Sequence, residues 1–269
     1  MRILNRAKKN FKPGILIILS VVVVPLFSTL VRAQATLNDA VTQLNANDRG
    51  QVELGIQNLG MRGDPSGIKP LADRIRRGLP PDLLELSIMT LMALGDPSAG
   101  PVLFELAMHR RANIRVLAIE AVAAVNPPGG QGVLVAALSD GDAEVRSKAA
   151  AGLGEIGAVG AMDTLFRALD RGVLEASEAI GKVITANRVT DLLDYLNKLP
   201  LHSLGPALIQ ALGRGDVQTK SKLAIVERLG EVATPEVKNY LVDFLAQHGE
   251  TAPPALVRAV RNTIQQIAD

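Results

Sequence analysis

Asp140-Gly141-Asp142-Ala143-Glu144-Val145-Arg146-Ser147-Lys148-Ala149-Ala150 runs almost directly into Leu153-Gly154-Glu155-Ile156-Gly157. This stretch holds a turn, a helix and a stop. Val145, Ala149, Leu153 and Ile156 recur at spacings of three and four, which places them on one apolar stripe of a helix. The same closing phrase appears earlier as Leu59-Gly60-Met61-Arg62-Gly63-Asp64-Pro65-Ser66 and as Leu94-Gly95-Asp96-Pro97-Ser98, and later as Leu212-Gly213-Arg214-Gly215-Asp216. Aligned on the residue expected to leave each helix, the series is Gly63, Gly95, Asn126, Gly157, Asn187 and Gly215, with spacings of 32, 31, 31, 30 and 28. A repeat of that length is one helical hairpin. The expected fold is therefore all-α, an α-solenoid of about six to seven stacked hairpins rather than a chain wrapped around one centre.

Each interval divides the same way. A first helix is expected at Ile68–Ile75, Pro101–Leu106, Val133–Leu138 and Thr164–Leu169, and a second at Leu83–Leu94, Ile114–Val125 and Val145–Ile156. Gly and Pro fall almost entirely between these segments, where they stop helices. After residue 35 only Phe104, Phe166, Tyr195, Tyr240 and Phe244 are aromatic, so the core must be built from Leu, Ile, Val and Ala. The rhythm falters near residues 197–218. The next similar turn, Val232-Ala233-Thr234-Pro235-Glu236, follows Gly215 after only 18 residues, and a missing or displaced helix with a bend is expected there. The segments 236–247 and 254–267 should form the last hairpin, closing the stack with a polar outer face that includes Arg258 and Arg261.

Residues 1–35 belong to a different class. Arg2, Arg6, Lys8, Lys9 and Lys12 precede an apolar run from Gly14 to Val31, and Ala33-Gln34-Ala35 has the small-x-small form of a cleavage site. That order is a secretory signal peptide, with cleavage expected after Ala35 and the mature protein in the periplasm or cell envelope. Membrane contact is expected only if residues 14–31 are retained as an anchor. Six of the 29 basic residues and none of the 27 acidic ones lie in this segment, so the mature chain carries a formal charge of −4 rather than +2. Nothing in that balance favours nucleic acid. The chain has no cysteine, hence no disulfide and no thiolate ligand.

The repeated strings resemble HEAT repeats, in particular the short bacterial kind of phycobilisome-lyase-type HEAT proteins, over about residues 48–250. The resemblance implies that second helices line a concave face suited to a protein or peptide partner. It also implies an alternative activity, the attachment or handling of a tetrapyrrole. In such repeats an arginine near the start of the second helix links neighbours through a loop aspartate. Arg146 with Asp142 fits that role, whereas Arg115, 31 residues earlier, has no acid in its own loop.

Catalytic signatures are missing from the sequence. His109, His202 and His248 are widely spaced, and no His-Glu-x-x-His, Gly-x-Ser-x-Gly or phosphate-loop string occurs. Neither a metal nor a cofactor is expected, and Asp140-Gly141-Asp142-Ala143-Glu144 reads as a helix cap, not a calcium loop. The two Arg-Gly-Asp copies, at residues 62–64 and 214–216, are repeat turns whose glycine supplies φ > 0. The remaining candidates are surfaces. Stepping by 31 aligns Glu85, Val116 and Ser147 in one row and Met89, Glu120 and Ala151 in another, both expected to face the groove and meet a protein or peptide. His109, Arg110, Arg111 and Arg115 form a basic patch that could meet an anionic partner. The expected protein is a non-catalytic exported scaffold.

Overall fold

Asp142 starts its helix as the sequence implies. Its carboxylate accepts the N–H groups of Glu144 at 2.9 Å and Val145 at 3.2 Å, two donors that a helix start leaves without intrahelical partners. Asp48 does the same for Gln51, and Thr36 forms a reciprocal capping box with Asp39. Asp64 and Asp96 instead accept from Ser66 and Ser98, each at 2.9 Å, and open short 3₁₀ turns that lead into first helices. The opposite ends are closed by left-handed residues. Gly63, Gly95 and Gly157 have φ of 63°, 64° and 65°, and Asn126 takes the same turn at φ 46°.

The computed structural model describes residues 35–267. Among them are fifteen α-helices and no strand. They are α1 Leu37–Leu44, α2 Arg49–Arg62, α3 Ile68–Arg76, α4 Pro81–Leu94, α5 Gly100–Leu106, α6 Ala112–Val125, α7 Gly130–Ala137 and α8 Ala143–Glu155. Then come α9 Met162–Asp170, α10 Glu175–Val183, α11 Val189–Asp194, α12 Leu201–Gly213, α13 Thr219–Val232, α14 Pro235–His248 and α15 Pro254–Gln266. Even-numbered helices pack side by side from α2 to α14 as one layer. Odd-numbered helices make the other layer, ending with α15 against α13. The result is an α-solenoid of seven hairpins and a closing helix. Its core runs lengthwise between the layers, through Leu59, Ile88, Ile119, Leu153, Ile180 and Leu208, each fully or almost fully buried.

Small residues set how closely the second helices approach. A Cβ on Gly181 of α10 would lie 2.6 Å from the carbonyl oxygen of Ala207 on α12, and one on Gly154 of α8 would lie 2.9 Å from the Ala179 Cα on α10. These are backbone contacts, which no side-chain rotation relieves.

Two expected turns differ. Asn187 does not leave a helix: α10 ends at Val183, passes through extended Ile184, and Asn187 lies in a 3₁₀ turn spanning Ala186–Arg188. Gly215 has no positive φ, because α12 is left through Arg214 in an extended conformation. Nor is a helix missing near residues 197–218, since α12 fills Leu201–Gly213 as a second helix. The short interval arises because Ala233 ends α13, a first helix lengthened to 14 residues, so it is not equivalent to Gly215. The signal-peptide segment lies outside the described residues.

Candidate functional site

The two rows read from the 31-residue step lie on α4, α6 and α8, neighbours in the second-helix layer. Met89 is 52% exposed. Glu85, Glu120, Ser147 and Ala151 are partly exposed. Val116 is the exception. It is 7% exposed and packs in the hydrophobic core instead of facing out of the layer.

The acids in these rows are used within the stack. Glu85 accepts from Asn113 Nδ2 at 2.6 Å, and Glu120 pairs with Lys148 Nζ at 2.6 Å, each bond joining one second helix to the next. The Glu120 carboxylate holds the Lys148 ammonium above its ordinary pKa. Arg49 of α2 pairs with Asp82 of α4 in the same sense. A polar seam thus runs between consecutive second helices, and exposed pairs of this kind contribute little to stability.

Apolar exposure gathers at the start of the layer. Leu54 and Met61 on α2 are exposed, as is Met89 on α4, the helix packed beside it. Leu54 stands 31 residues before Glu85 and continues its row, a position the sequence reading passed over. Only the absence of a polar residue at Leu54 and Met61 marked them, and a lone Leu or Met on a helix usually signals core.

The basic patch divides. His109, Arg110 and Arg115 line one cleft of about 530 Å³ between α5 and α7, with Phe104, Val133 and Ala137 as apolar walls. Met108 stands at its mouth, 83% exposed. Arg111 takes no part in the cleft and occupies the N-cap position of α6. Arg115 is not free cation. It holds Asp140 of the following hairpin through two bonds, at 2.8 and 2.7 Å, and donates Nη1 to the His109 carbonyl at 2.9 Å. Beside this guanidinium the Asp140 carboxyl sits below its usual pKa, helped by the Asp142 N–H at 2.8 Å. The linking acid therefore comes from the next hairpin. Arg146 donates to the Asp140 and Gly141 carbonyls, at 2.8 and 3.1 Å, and not to the Asp142 carboxylate, which is occupied as a cap.

Both Arg-Gly-Asp turns fold their arginine inward. Arg62 donates to the Ala35 carbonyl at 3.0 Å, and Arg214 grips its own Asp216 while donating to the Gly181 carbonyl at 3.1 Å. Among the described residues no group of His, Asp or Glu is arranged to hold a metal ion. No helix among them is long and apolar enough to cross a membrane.

The class defined by this architecture is the helical-repeat solenoid. Within it, residues 101–181, from α5 into α10, match the HEAT repeats family. No curated protein matches the sequence significantly. Among solved structures, the chain is similar to the complex of CpcE and CpcF of phycocyanin lyase from Nostoc sp. PCC7120, at 15% identity and a TM-score of 0.47, over 87% of this chain and 95% of that one. It is similar to human deoxyhypusine hydroxylase in complex with glycerol at 18% identity and a TM-score of 0.42, over 90% and 99% of the two chains. A designed armadillo repeat protein matches at 13% identity and a TM-score of 0.41, over 86% and 100%.

Proposed function

We propose that this protein is an exported, non-catalytic scaffold that holds a protein or peptide partner along the face of its second helices. The observation that carries the reading is the exposure of Leu54, Met61 and Met89 on two adjacent helices of that layer. Unbranched Met side chains adapt to varied apolar partners, and the polar seam beside them supplies a rim of hydrogen-bonding groups. A preformed layer of packed helices loses little conformational freedom on binding. Export is supported by the charged, apolar and small-x-small order of residues 1–35. It is also supported by the capping box at Thr36, which starts α1 immediately after the proposed cleavage at Ala35.

The test is cross-linking capture from the native cell envelope with the full chain, compared with a Met61→Lys, Met89→Lys double variant. Both side chains are exposed, so helicity should be retained. A dominant partner whose recovery falls roughly tenfold in the variant supports the reading. Equal recovery by both chains removes this face from the account. N-terminal sequencing of the same sample should give Thr36 as the first residue, and an intact N-terminus would replace the exported chain by one anchored through residues 14–31.

A further inference from the structure

Lys222 is out of place. It lies one turn into α13 and is 5% exposed, yet its ammonium forms no hydrogen bond and no ion pair with any described residue. The stem is buried while the ammonium, not fully sealed from solvent, is left unpaired, and a helix N-terminus is the wrong end for a cation because the backbone dipole is positive there. Burial accordingly pulls the Lys222 pKa below its ordinary value. Asp216 and Arg214 lie within electrostatic reach, and both oxygens of Asp216 are taken by Arg214.

The side chain lines a cavity of about 340 Å³, where the end of α12, the start of α13 and the end of α14 converge. Thr219, Thr251 and His248 contribute polar atoms to the lining, and Val217 and Phe244 an apolar floor. The cap of α13 is Gln218, whose side chain makes no bond to the helix, so the first N–H groups beside Thr219 are uncapped. The carbonyl of His248 accepts the N–H groups of Thr251 at 3.0 Å and Ala252 at 2.8 Å and the Thr251 hydroxyl at 3.3 Å. Arg214 and Lys222 against Asp216 leave this corner with one uncompensated positive charge.

We propose that the cavity is a binding site for a carboxylate, paired with Lys222 and seated on Phe244 and Val217. One ammonium with the Thr219 hydroxyl and a few free N–H groups matches a singly charged carboxylate. A phosphate dianion would call for more donors and a second cation. The apolar floor favours a carboxylate with a short hydrocarbon body. The carboxylate comes from a free organic acid or from the C-terminus of a peptide, and the recognition chemistry is the same. This site is separate from α2 and α4, so its failure and that of the partner face are distinguishable.

The experiment titrates the full chain with butyrate and benzoate, with butyramide and benzamide as neutral controls. A third arm uses a short peptide ending in Val, with a free or amidated C-terminus. Calorimetry gives the affinity, and amide NMR shifts at Thr219 and Thr251 give the location. Saturable binding of acids but not amides, with shifts at these residues and a loss of roughly tenfold or more in Lys222→Met, is the expected result. Met keeps the length of the stem and suits a buried position, so the variant should fold. Binding of the small acids assigns a free acid as the source. Binding of the free-ended peptide alone assigns a chain terminus. Equal binding of acid and amide, undiminished binding by Lys222→Met, or no binding in any arm overturns the proposal.

Discussion

Arg115 of α6 and Asp140 of the next hairpin meet edge to edge, Nε to Oδ2 at 2.8 Å and Nη2 to Oδ1 at 2.7 Å, with both side chains more than four-fifths buried. The third guanidinium nitrogen holds the carbonyl of His109 at 2.9 Å. One side chain thus ties a helix start, the loop before it and the loop of the following hairpin. In a stack where each hairpin touches only its neighbours, such a tie acts on one interface and not on the whole.

Replacing Asp140 by Asn should cost about 1–3 kcal/mol at neutral pH, because it leaves the mostly buried guanidinium without its counter-charge. Arg115→Lys should lose a similar share, since an ammonium cannot make both parallel bonds. The pH dependence has a definite sign. The folded Asp140 pKa is depressed, so its stabilising contribution is present above the unfolded carboxyl value, about 3.9, and is lost as pH falls through the folded value. Urea melts of wild type and Asp140→Asn should therefore differ at pH 7 and converge towards pH 3. A constant difference across that range would show that Asp140 acts by packing and not by charge.

Gly181 and Gly132 should respond to alanine with opposite signs. A Cβ at Gly181 meets the backbone of Ala207 at 2.6 Å and must push α10 from α12, at a cost of about 1–3 kcal/mol. Gly132 lies within α7, and a Cβ there meets nothing within 4 Å. Gly132→Ala should gain about 0.5–1 kcal/mol from helix propensity and a less free unfolded chain. Thermal melts of the two variants would settle it, and a stabilised Gly181→Ala would mean the second-helix layer is looser than its geometry.

What could be read in the sequence was what the repeat enforces. Gly63, Gly95, Asn126 and Gly157 each end a second helix of comparable length, so backbone sterics wrote the same signal four times. Asn187 and Gly215 carry the right residue type at the right interval, yet their helices leave through extended backbone, and no local rule distinguishes the two exits. Asp140 was missed as the partner of Arg115 because the pair closes across 25 positions, between hairpins. Lys222, in the run Thr219-Lys220-Ser221-Lys222, looks like a solvated lysine. Only the convergence of α12, α13 and α14 buries it.

Ala233 closes α13 in the left-handed region at φ 49°, where its Cβ crowds the backbone. Every other residue in this region of φ is Gly or Asn among the described residues. Ala233→Gly should therefore stabilise the chain by about 1 kcal/mol, despite the added freedom of the unfolded state. The predicted reading is a higher urea midpoint with an unchanged slope. A lowered midpoint would mean that the strain at Ala233 is smaller than the entropy glycine adds.

Tyr195, in the turn that follows α11, offers a spectroscopic check on how its hairpin packs against α9. Its ring stacks on Phe166 with centroids 5.6 Å apart, and its hydroxyl donates to Asp170 at 2.7 Å. Burial first, and the adjacent carboxylate second, push its pKa up to about 12. Tyr240, the other tyrosine of the chain, is also shifted upwards by burial and by Glu236. The neutral phenol is the form the fold favours, so this stabilisation is full below the unfolded value of about 10 and is lost as pH rises through 12. The Tyr195 share of the phenolate absorbance should then stay flat through the usual tyrosine range and rise together with the loss of helicity. Tyr195→Phe should remove about 1 kcal/mol at neutral pH and leave Asp170 short of a donor. Ordinary titration of Tyr195 in a chain that remains helical would contradict the packing of these two neighbouring hairpins.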